Sequence, residues 1–135
     1  MNCQQKKELL SSYQGALREI AWLKGELQFW REVSAEKANP WEQPIEEEEK
    51  RKLQKAGEEI RRRRRELTIQ YGRAAQLANQ IEGLIDQVPN QSQRLLLRYR
   101  YIDGWTIERI AKEMHYSDRQ ISNLQRQALE SIQVS

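Results

Sequence analysis

The residues best suited to chemistry lie near the C-terminus, and their chemistry is that of nucleic-acid recognition. Five polar side chains fall close together there: Ser117, Arg119, Gln120, Ser122 and Asn123. Arginine pairs well with guanine, asparagine and glutamine pair with adenine, and serine bonds to bases or to backbone oxygens. This set therefore predicts contacts with base edges in a DNA groove.

A second set of cationic and polar side chains is suited to phosphate. Its members are Arg94, Arg98, Thr106, Lys112, Arg126 and Gln127. Upstream, Arg61–Arg65 are five consecutive arginines. The run is either a further phosphate contact or the solvated face of a helix, and the sequence leaves both interpretations open.

The sequence lacks the usual signatures of catalysis and metal binding. It has no Gly-rich phosphate loop and no nucleophile paired with a base. His115, the only histidine, has no ligand cluster at metal spacing, and Cys3, the only cysteine, cannot close an internal disulfide. We expect a protein that is not an enzyme, needs no cofactor, and is soluble in a reducing cytoplasm.

Three short helices are predicted to position the polar residues. The first covers about 92–102 and stops at the turn signal Asp103-Gly104. Thr106 is expected to cap the second helix, over 107–114, and Ser117 the third, over 118–132. The second and third helices would form a helix-turn-helix whose last helix enters the major groove.

Apolar residues at helical spacing predict how these helices pack. The expected core is formed by Leu95, Tyr99, Ile102, Ile107, Ile110, Ala111, Met114, Ile121, Leu124, Ala128, Leu129 and Ile132. Tyr116 is expected to fill the turn between the second and third helices. The alternative is a small structural bundle in which these apolar residues serve only as core.

Two longer helices are predicted upstream, over about 5–37 and 45–88, with a turn at 39–44 where Pro40 interrupts the first. Apolar positions spaced alternately by four and three form a seam along each helix. The first seam comprises Leu9, Tyr13, Ala16, Ile20, Leu23, Leu27 and Trp30. The second comprises Leu53, Gly57, Ile60, Arg64, Leu67, Tyr71, Ala74, Ala78, Ile81, Ile85 and Val88.

These patterns predict an all-α protein with two parts. Residues 1–88 form a coiled-coil-like antiparallel hairpin with Leu27 opposite Gly57, and residues 91–135 form the helix-turn-helix domain. Ile81, Ile85 and Val88 are expected to pack on that domain. Because Leu10, Leu17 and Trp22 lie off the first seam, the hairpin is also expected to form a homo-oligomer or to dock on a partner helix.

The C-terminal third resembles region four of bacterial sigma factors, which reads the upstream promoter element. The resemblance lies in segments 97–102, 107–111, 116–121 and 128–129. It implies that Arg119, Gln120, Ser122 and Asn123 face bases. Sigma factors tend to have Arg and then Glu where this chain has Asp118 and Arg119, so reading of the standard element is not implied.

The whole layout, with segment 113–117, resembles a family of small phage proteins related to the RinA and ArpU late-gene transcription regulators. That resemblance implies an auxiliary regulator, most simply an activator, that binds double-stranded DNA and works with the host RNA polymerase in a bacterial cytoplasm. Two alternatives remain. One is a packaging or assembly adaptor like a small terminase subunit, and the other is a protein–protein module that binds polymerase without contacting bases.

Overall fold

A computed structural model describes residues 1–37 and 46–134, and in this part of the chain the fold is all-α, as predicted. The helices are α1 (Cys3–Lys37), α2 (Glu47–Asp86), α3 (Gln91–Leu97), α4 (Ile107–Met114) and α5 (Asp118–Ser131). A π-helical turn, Arg98–Ile102, continues directly from α3. The predicted turn at 39–44 lies outside the described residues.

Side-chain caps fix where the three C-terminal helices begin. The side chain of Asn90 accepts a hydrogen bond from the backbone N–H of Gln93, and that of Thr106 accepts one from Arg109. Ser117 caps α5 in the same way. Each cap satisfies a backbone donor that has no partner within its helix. The predicted caps at Thr106 and Ser117 are confirmed.

The contacts of the chain group it into two compact units, and the first comprises Met1–Ala16 together with Ala74–Ser135. The core of this unit is formed by Leu10, Ile81, Leu84, Ile85, Val88, Leu96, Leu97, Tyr101, Ile110, Ala111, Ile121, Ala128, Leu129 and Ile132. The end of α2 therefore packs on the C-terminal helices, as predicted. The expected division into 1–88 and 91–135 is a different partition of the chain and remains a proposal.

The N-terminal turns of α1 also hold the C-terminal helices within this unit. The Lys6 Nζ donates to the carbonyl oxygen of Leu129 at 2.8 Å. The Gln14 Nε2 donates to the carbonyl oxygen of Ile102 at 2.8 Å and to that of Tyr101 at 3.3 Å. These bonds satisfy carbonyls near the ends of α5 and of the π-helical turn. Nothing in the local sequence pattern predicts them.

The predicted buried face of the first C-terminal helix was wrong at Leu95, while the predicted Tyr99 and Ile102 are partly buried against the core. Leu96 and Leu97 are fully buried and Tyr101 is 4% exposed, whereas Leu95 is 39% exposed. Three consecutive leucines satisfy any helical phase, and a π-helical turn holds more residues than an α-helical one, so the 3.6-residue period does not carry through it. Tyr116 is 40% exposed and does not fill the turn as predicted.

The second unit comprises Leu17–Arg73. Ile20, Leu23, Leu27, Ala56 and Leu67 are buried there. The guanidinium of Arg63 lies 5.5 Å from the ring centroid of Trp22, and the Lys55 ammonium lies 5.9 Å from that of Trp30. Positions later in α1 thus meet earlier positions in α2, which shows that the two helices are antiparallel in this unit.

The predicted seam of α2 was wrong at alternate positions as far as Tyr71, while Ile81, Ile85 and Val88 are buried as predicted. Ala56 and Arg63 are buried, while Arg64 and Tyr71 are exposed. The buried positions follow a three-then-four spacing where the prediction used four then three. Among the described residues, a methyl group added to Gly57 would meet only the Arg61 side chain, at 3.6 Å, so the expected close packing at Gly57 is not found there.

Among residues 1–37 and 46–134, no helix has both the length and the apolar character needed to cross a membrane.

Candidate nucleic-acid interface

A capping box fixes the start of α5. The Ser117 Oγ accepts a hydrogen bond from the backbone N–H of Gln120 at 3.1 Å, and the Gln120 Oε1 accepts one from the backbone N–H of Ser117 at 2.8 Å. Two backbone donors are thereby satisfied reciprocally. The side chains of Ser117 and Gln120, both predicted to contact bases, are thus engaged with the backbone in this structure.

The rest of the predicted base-contacting set lies on the solvent side of α5. Arg119, Ser122 and Asn123 are exposed, while Ile121 and Leu129 are fully buried against the core. One face of the helix is therefore held by apolar packing, and the opposite face offers a guanidinium, a hydroxyl and a carboxamide to a ligand. The structure brings these predicted side chains together on one helix.

The turn before α5 depends on a left-handed residue. His115 has φ 59° and ψ 41°, and its backbone N–H donates to the carbonyl oxygen of Ala111. The backbone N–H of Tyr116 donates to the same oxygen at 2.9 Å. Histidine tolerates this conformation better than most residues. His115 lies in the turn predicted between the second and third C-terminal helices, and its conformation sets the direction in which α5 leaves α4.

Two of the predicted phosphate contacts are occupied within the protein. The Arg94 Nη1 donates to the carbonyl oxygens of Val88 and Pro89, at 2.6 and 2.9 Å. The Arg98 Nη2 contacts the Asp86 Oδ1 at 2.7 Å, with both side chains about half exposed. Arg94 thus ties α3 to the segment after α2. Arg98 is in an exposed ion pair that a phosphate could replace.

The other predicted phosphate contacts are exposed. The side-chain oxygen of Thr106 caps α4 by accepting a hydrogen bond of 3.2 Å from the backbone N–H of Arg109. Gln127 accepts a hydrogen bond from the Gln93 Nε2 at 3.5 Å. Lys112 and Arg126 extend from α4 and α5 into solvent. These two cations are the members of the set that are best placed to meet phosphate.

Arg109 is a further exposed cation that was not among the predicted phosphate contacts. Its guanidinium carbon lies 3.9 Å from the ring centroid of Trp105, and Trp105 in turn stacks on Tyr99 with ring centroids 4.2 Å apart. Stacking holds the arginine side chain in place near the start of α4. An arginine shortly after a tryptophan could have pointed to such a stack.

Tyr101 links α5 to the π-helical turn. Its hydroxyl accepts a hydrogen bond of 2.7 Å from the Gln125 Nε2. Burial raises the pKa of the Tyr101 hydroxyl above its ordinary value of 10.0, against the smaller opposing effects of Gln125 and Arg100. Gln125 is therefore directed toward the core, and the exposed positions around it remain for ligand contact.

Comparison with known proteins bears on this region. Residues 90–133 match the family model described as Sigma-70, region 4. Comparison with curated proteins and with solved structures gave no match. The matched range contains α3 to α5 with the capped, exposed face of α5, and sigma region 4 is associated with DNA binding and transcription. The C-terminal part of this chain is accordingly a sigma-70 region 4-like helix-turn-helix domain.

Proposed function

We propose that this protein is a sequence-specific transcription regulator that binds double-stranded DNA through α5. The observation that carries the proposal is the exposed polar face of α5 within the region-4 match. In this proposal Arg119, Ser122 and Asn123 contact base edges in the major groove. The setting proposed is control of phage or prophage genes in a bacterial cytoplasm, most simply by activation.

The phosphate contacts proposed for this complex come from several elements. Lys112 and Arg126 are exposed cations on α4 and α5, and Arg98 would exchange its Asp86 partner for a phosphate. Arg109, held on Trp105, is a further candidate. Contacts of this kind orient the protein on the duplex and make affinity depend on salt, whereas sequence is read by the base contacts.

Ser117 and Gln120 have a double role in this proposal. In the free protein they close the capping box of α5. The Ser117 hydroxyl and the Gln120 carboxamide each retain hydrogen-bonding capacity beyond the cap bonds, since a hydroxyl and a carboxamide both offer several donor or acceptor sites. They can therefore contact DNA while the cap stays in place.

The proposal includes an interaction with RNA polymerase, because the match of residues 90–133 is to a domain of a polymerase subunit. DNA and polymerase would then be held by the same C-terminal region. A regulator of this type acts by recruiting polymerase to a site that it reads itself.

The experiment is fluorescence anisotropy of the full chain on tiled fragments of its own genomic neighbourhood, at near-physiological salt. One fragment should bind at least about a thousandfold more tightly than the others. Asn123→Ala should weaken binding to that fragment by about 1–3 kcal/mol and relax its specificity. Gln133→Ala removes the same kind of exposed carboxamide beyond the end of α5 and is the matched control.

A second pair of variants separates base reading from phosphate binding. Lys112→Ala should weaken binding to all fragments alike and reduce the salt dependence by about one counterion. Uniform weak binding that Asn123→Ala leaves unchanged would contradict the proposal. If Asn123→Ala weakened binding to unrelated DNA as much as binding to the specific fragment, the proposed contact of Asn123 with a base would be contradicted.

A further inference from the structure

The outer face of α1 carries apolar surface that residues 1–37 and 46–134 leave uncovered. Trp22 is 53% exposed and Phe29 is 52% exposed, and both lie in the second unit. Together with Ala21, Gly25 and Glu26 they line a shallow open cleft. Two large aromatic rings on one helix face form the kind of exposed apolar patch that marks an interaction site.

The small residues of this patch lie between the aromatic ones. Gly25 falls midway between Trp22 and Phe29 at helical spacing. A methyl group added to Gly25 would meet no atom within 4 Å in the described chain. A second helix can therefore approach the backbone of α1 at Gly25, with Trp22 about one turn before it and Phe29 about one turn after it along the helix.

Charge is arranged on the same face with opposite signs at its two ends. Arg18 lies two turns before Gly25, and Glu32 lies the same distance after it. Both are exposed, and both fall within about 20° of the line through Gly25 along the helix, at 100° per residue. A copy of α1 running antiparallel across Gly25 would place its Glu32 opposite Arg18, and its Arg18 opposite Glu32.

The aromatic rings fit the same arrangement. With a twofold axis at Gly25, Trp22 of one chain falls at nearly the height of Phe29 of the other and on the same side of the contact. The guanidinium of Arg63 covers one part of the Trp22 ring in its own chain, and a Phe29 ring could cover the exposed part. Rings paired in this way contribute beyond the area they bury.

We propose that α1 is the interface of a twofold homodimer, in which two copies pack antiparallel about Gly25 with Trp22 against Phe29 and with two Arg18–Glu32 pairs between chains. The occupant is a second copy because the face is complementary to itself in both charge and shape. A dimer would carry two C-terminal domains, but this interface does not rest on the proposed DNA binding.

The test is sedimentation of the full chain over a concentration series. The wild-type chain should pass from monomer to dimer. Arg18→Glu should weaken the dimer about tenfold or more, because each of the two pairs becomes a repulsion between carboxylates. Glu32→Arg should weaken it similarly by opposing two guanidinium groups. Arg31→Glu makes the same charge change on the side of α1 and should shift the dissociation constant less than about threefold.

Mixing the two weakened variants provides a test that a folding defect cannot mimic. One chain then carries two carboxylates on the face and the other carries two guanidinium groups, so both pairs of the mixed dimer are attractive. An equimolar mixture should form heterodimers at least as tight as the wild-type dimer. Far-UV circular dichroism of each variant checks that helix content is unchanged.

The following results would overturn the proposal: a wild-type chain that stays monomeric, assemblies larger than a dimer, or a mixture that associates no better than its components. A dimer that Arg31→Glu weakens as much as Arg18→Glu would refute this register. Because mass is the readout, loss of DNA binding by an intact dimer would count against the proposed function alone.

Discussion

Replacing Gly104 by alanine probes how α1 holds the C-terminal helices. Gly104 has φ +74°, a conformation that costs an alanine about 1–2 kcal/mol. The new Cβ would also lie 2.7 Å from the Gln14 Oε1. The Gln14 side chain must then move, which breaks its 2.8 Å bond to the Ile102 carbonyl, worth about 1 kcal/mol. Gly104→Ala should therefore destabilise the fold by about 2–3 kcal/mol.

A double-mutant cycle separates the two costs. Gln14→Ala alone should cost about 1 kcal/mol, since it removes the bond but leaves the backbone unstrained. In the double variant the bond can be lost only once, so the total should again be about 2–3 kcal/mol. The expected coupling between the two sites is thus about 1 kcal/mol.

The measurement is urea denaturation followed by far-UV circular dichroism, with free energies from linear extrapolation. Gly72→Ala is the control, because a methyl group there would meet no atom of the described residues within 4 Å and the site is helical. It should stabilise by up to about 1 kcal/mol. Strict additivity of Gln14→Ala and Gly104→Ala would refute the contact between them, and a Gly104→Ala cost under about 0.5 kcal/mol would refute the backbone strain.

Three further predictions concern the C-terminal helices. Ser117→Ala removes the side-chain cap of the Gln120 N–H and should lower the free energy of unfolding by about 1 kcal/mol, measured by thermal or urea denaturation. Ser117→Asp, which keeps a good cap, should cost less than half as much. Equal losses in the two variants would argue against the cap. The raised pKa of the Tyr101 hydroxyl contributes stability that is fully present below pH 10.0 and is lost as pH rises through the higher folded value. Tm measured into the alkaline range should show this fall, and it should be smaller in Tyr101→Phe; an identical fall in both proteins would exclude Tyr101 as its source. Arg98→Ala should change the free energy of unfolding by less than about 1 kcal/mol, because the ion pair of Arg98 with Asp86 is half exposed. If Arg98 contacts phosphate, Arg98→Ala should also weaken binding to every DNA fragment, whereas Asp86→Asn should not.

The boundaries of the short helices were predictable because they depend on local chemistry. Thr106 and Ser117 cap the helices that follow them, and both helices begin where the sequence predicts. A cap needs only a side-chain oxygen and the next few backbone N–H groups. The all-α class follows similarly from composition and periodicity, and the choice of α5 as the helix with the exposed polar face needs no long-range information.

The buried faces were harder to predict because periodicity alone leaves a choice of phase. In α2 the positions shared by both spacings, such as Leu67 and Ala74, are buried as expected. At the alternate positions the sequence offered Ala56 or Gly57, and Arg63 or Arg64. The structure buries Arg63, whose guanidinium lies over the Trp22 ring and 3.3 Å from the Glu59 carboxylate. A charged residue is rarely buried without partners, so the burial of Arg63 can be predicted only when its partners on both helices are known.

The residue types of the candidate site can be taken from the sequence. The hydrogen bonds and ion pairs that these residues form within the protein cannot. Arg94 and Arg98 have the charge that phosphate requires, yet in the structure Arg94 bonds to the segment after α2 and Arg98 bonds to Asp86 at the end of α2. Local sequence does not reveal this competition, because an arginine presents the same donors to a carbonyl, a carboxylate or a phosphate. Arg109 was missed although Trp105, four residues earlier, could have pointed to the stacking that the structure shows.

The position of α5 depends on residues far from it in sequence. Ile121 and Leu129 are fully buried in a core that includes Leu10 of α1 and Ile85 of α2, and Lys6 bonds to the carbonyl oxygen of Leu129. The exposed face of α5 is the side left over once this core is formed. A change in the N-terminal turns of α1 that disturbed the core would therefore alter the presentation of Arg119 and Asn123 without touching either residue. In a protein that reads DNA through this face, α1 would act on recognition as a positioning element as well as through any interface of its own.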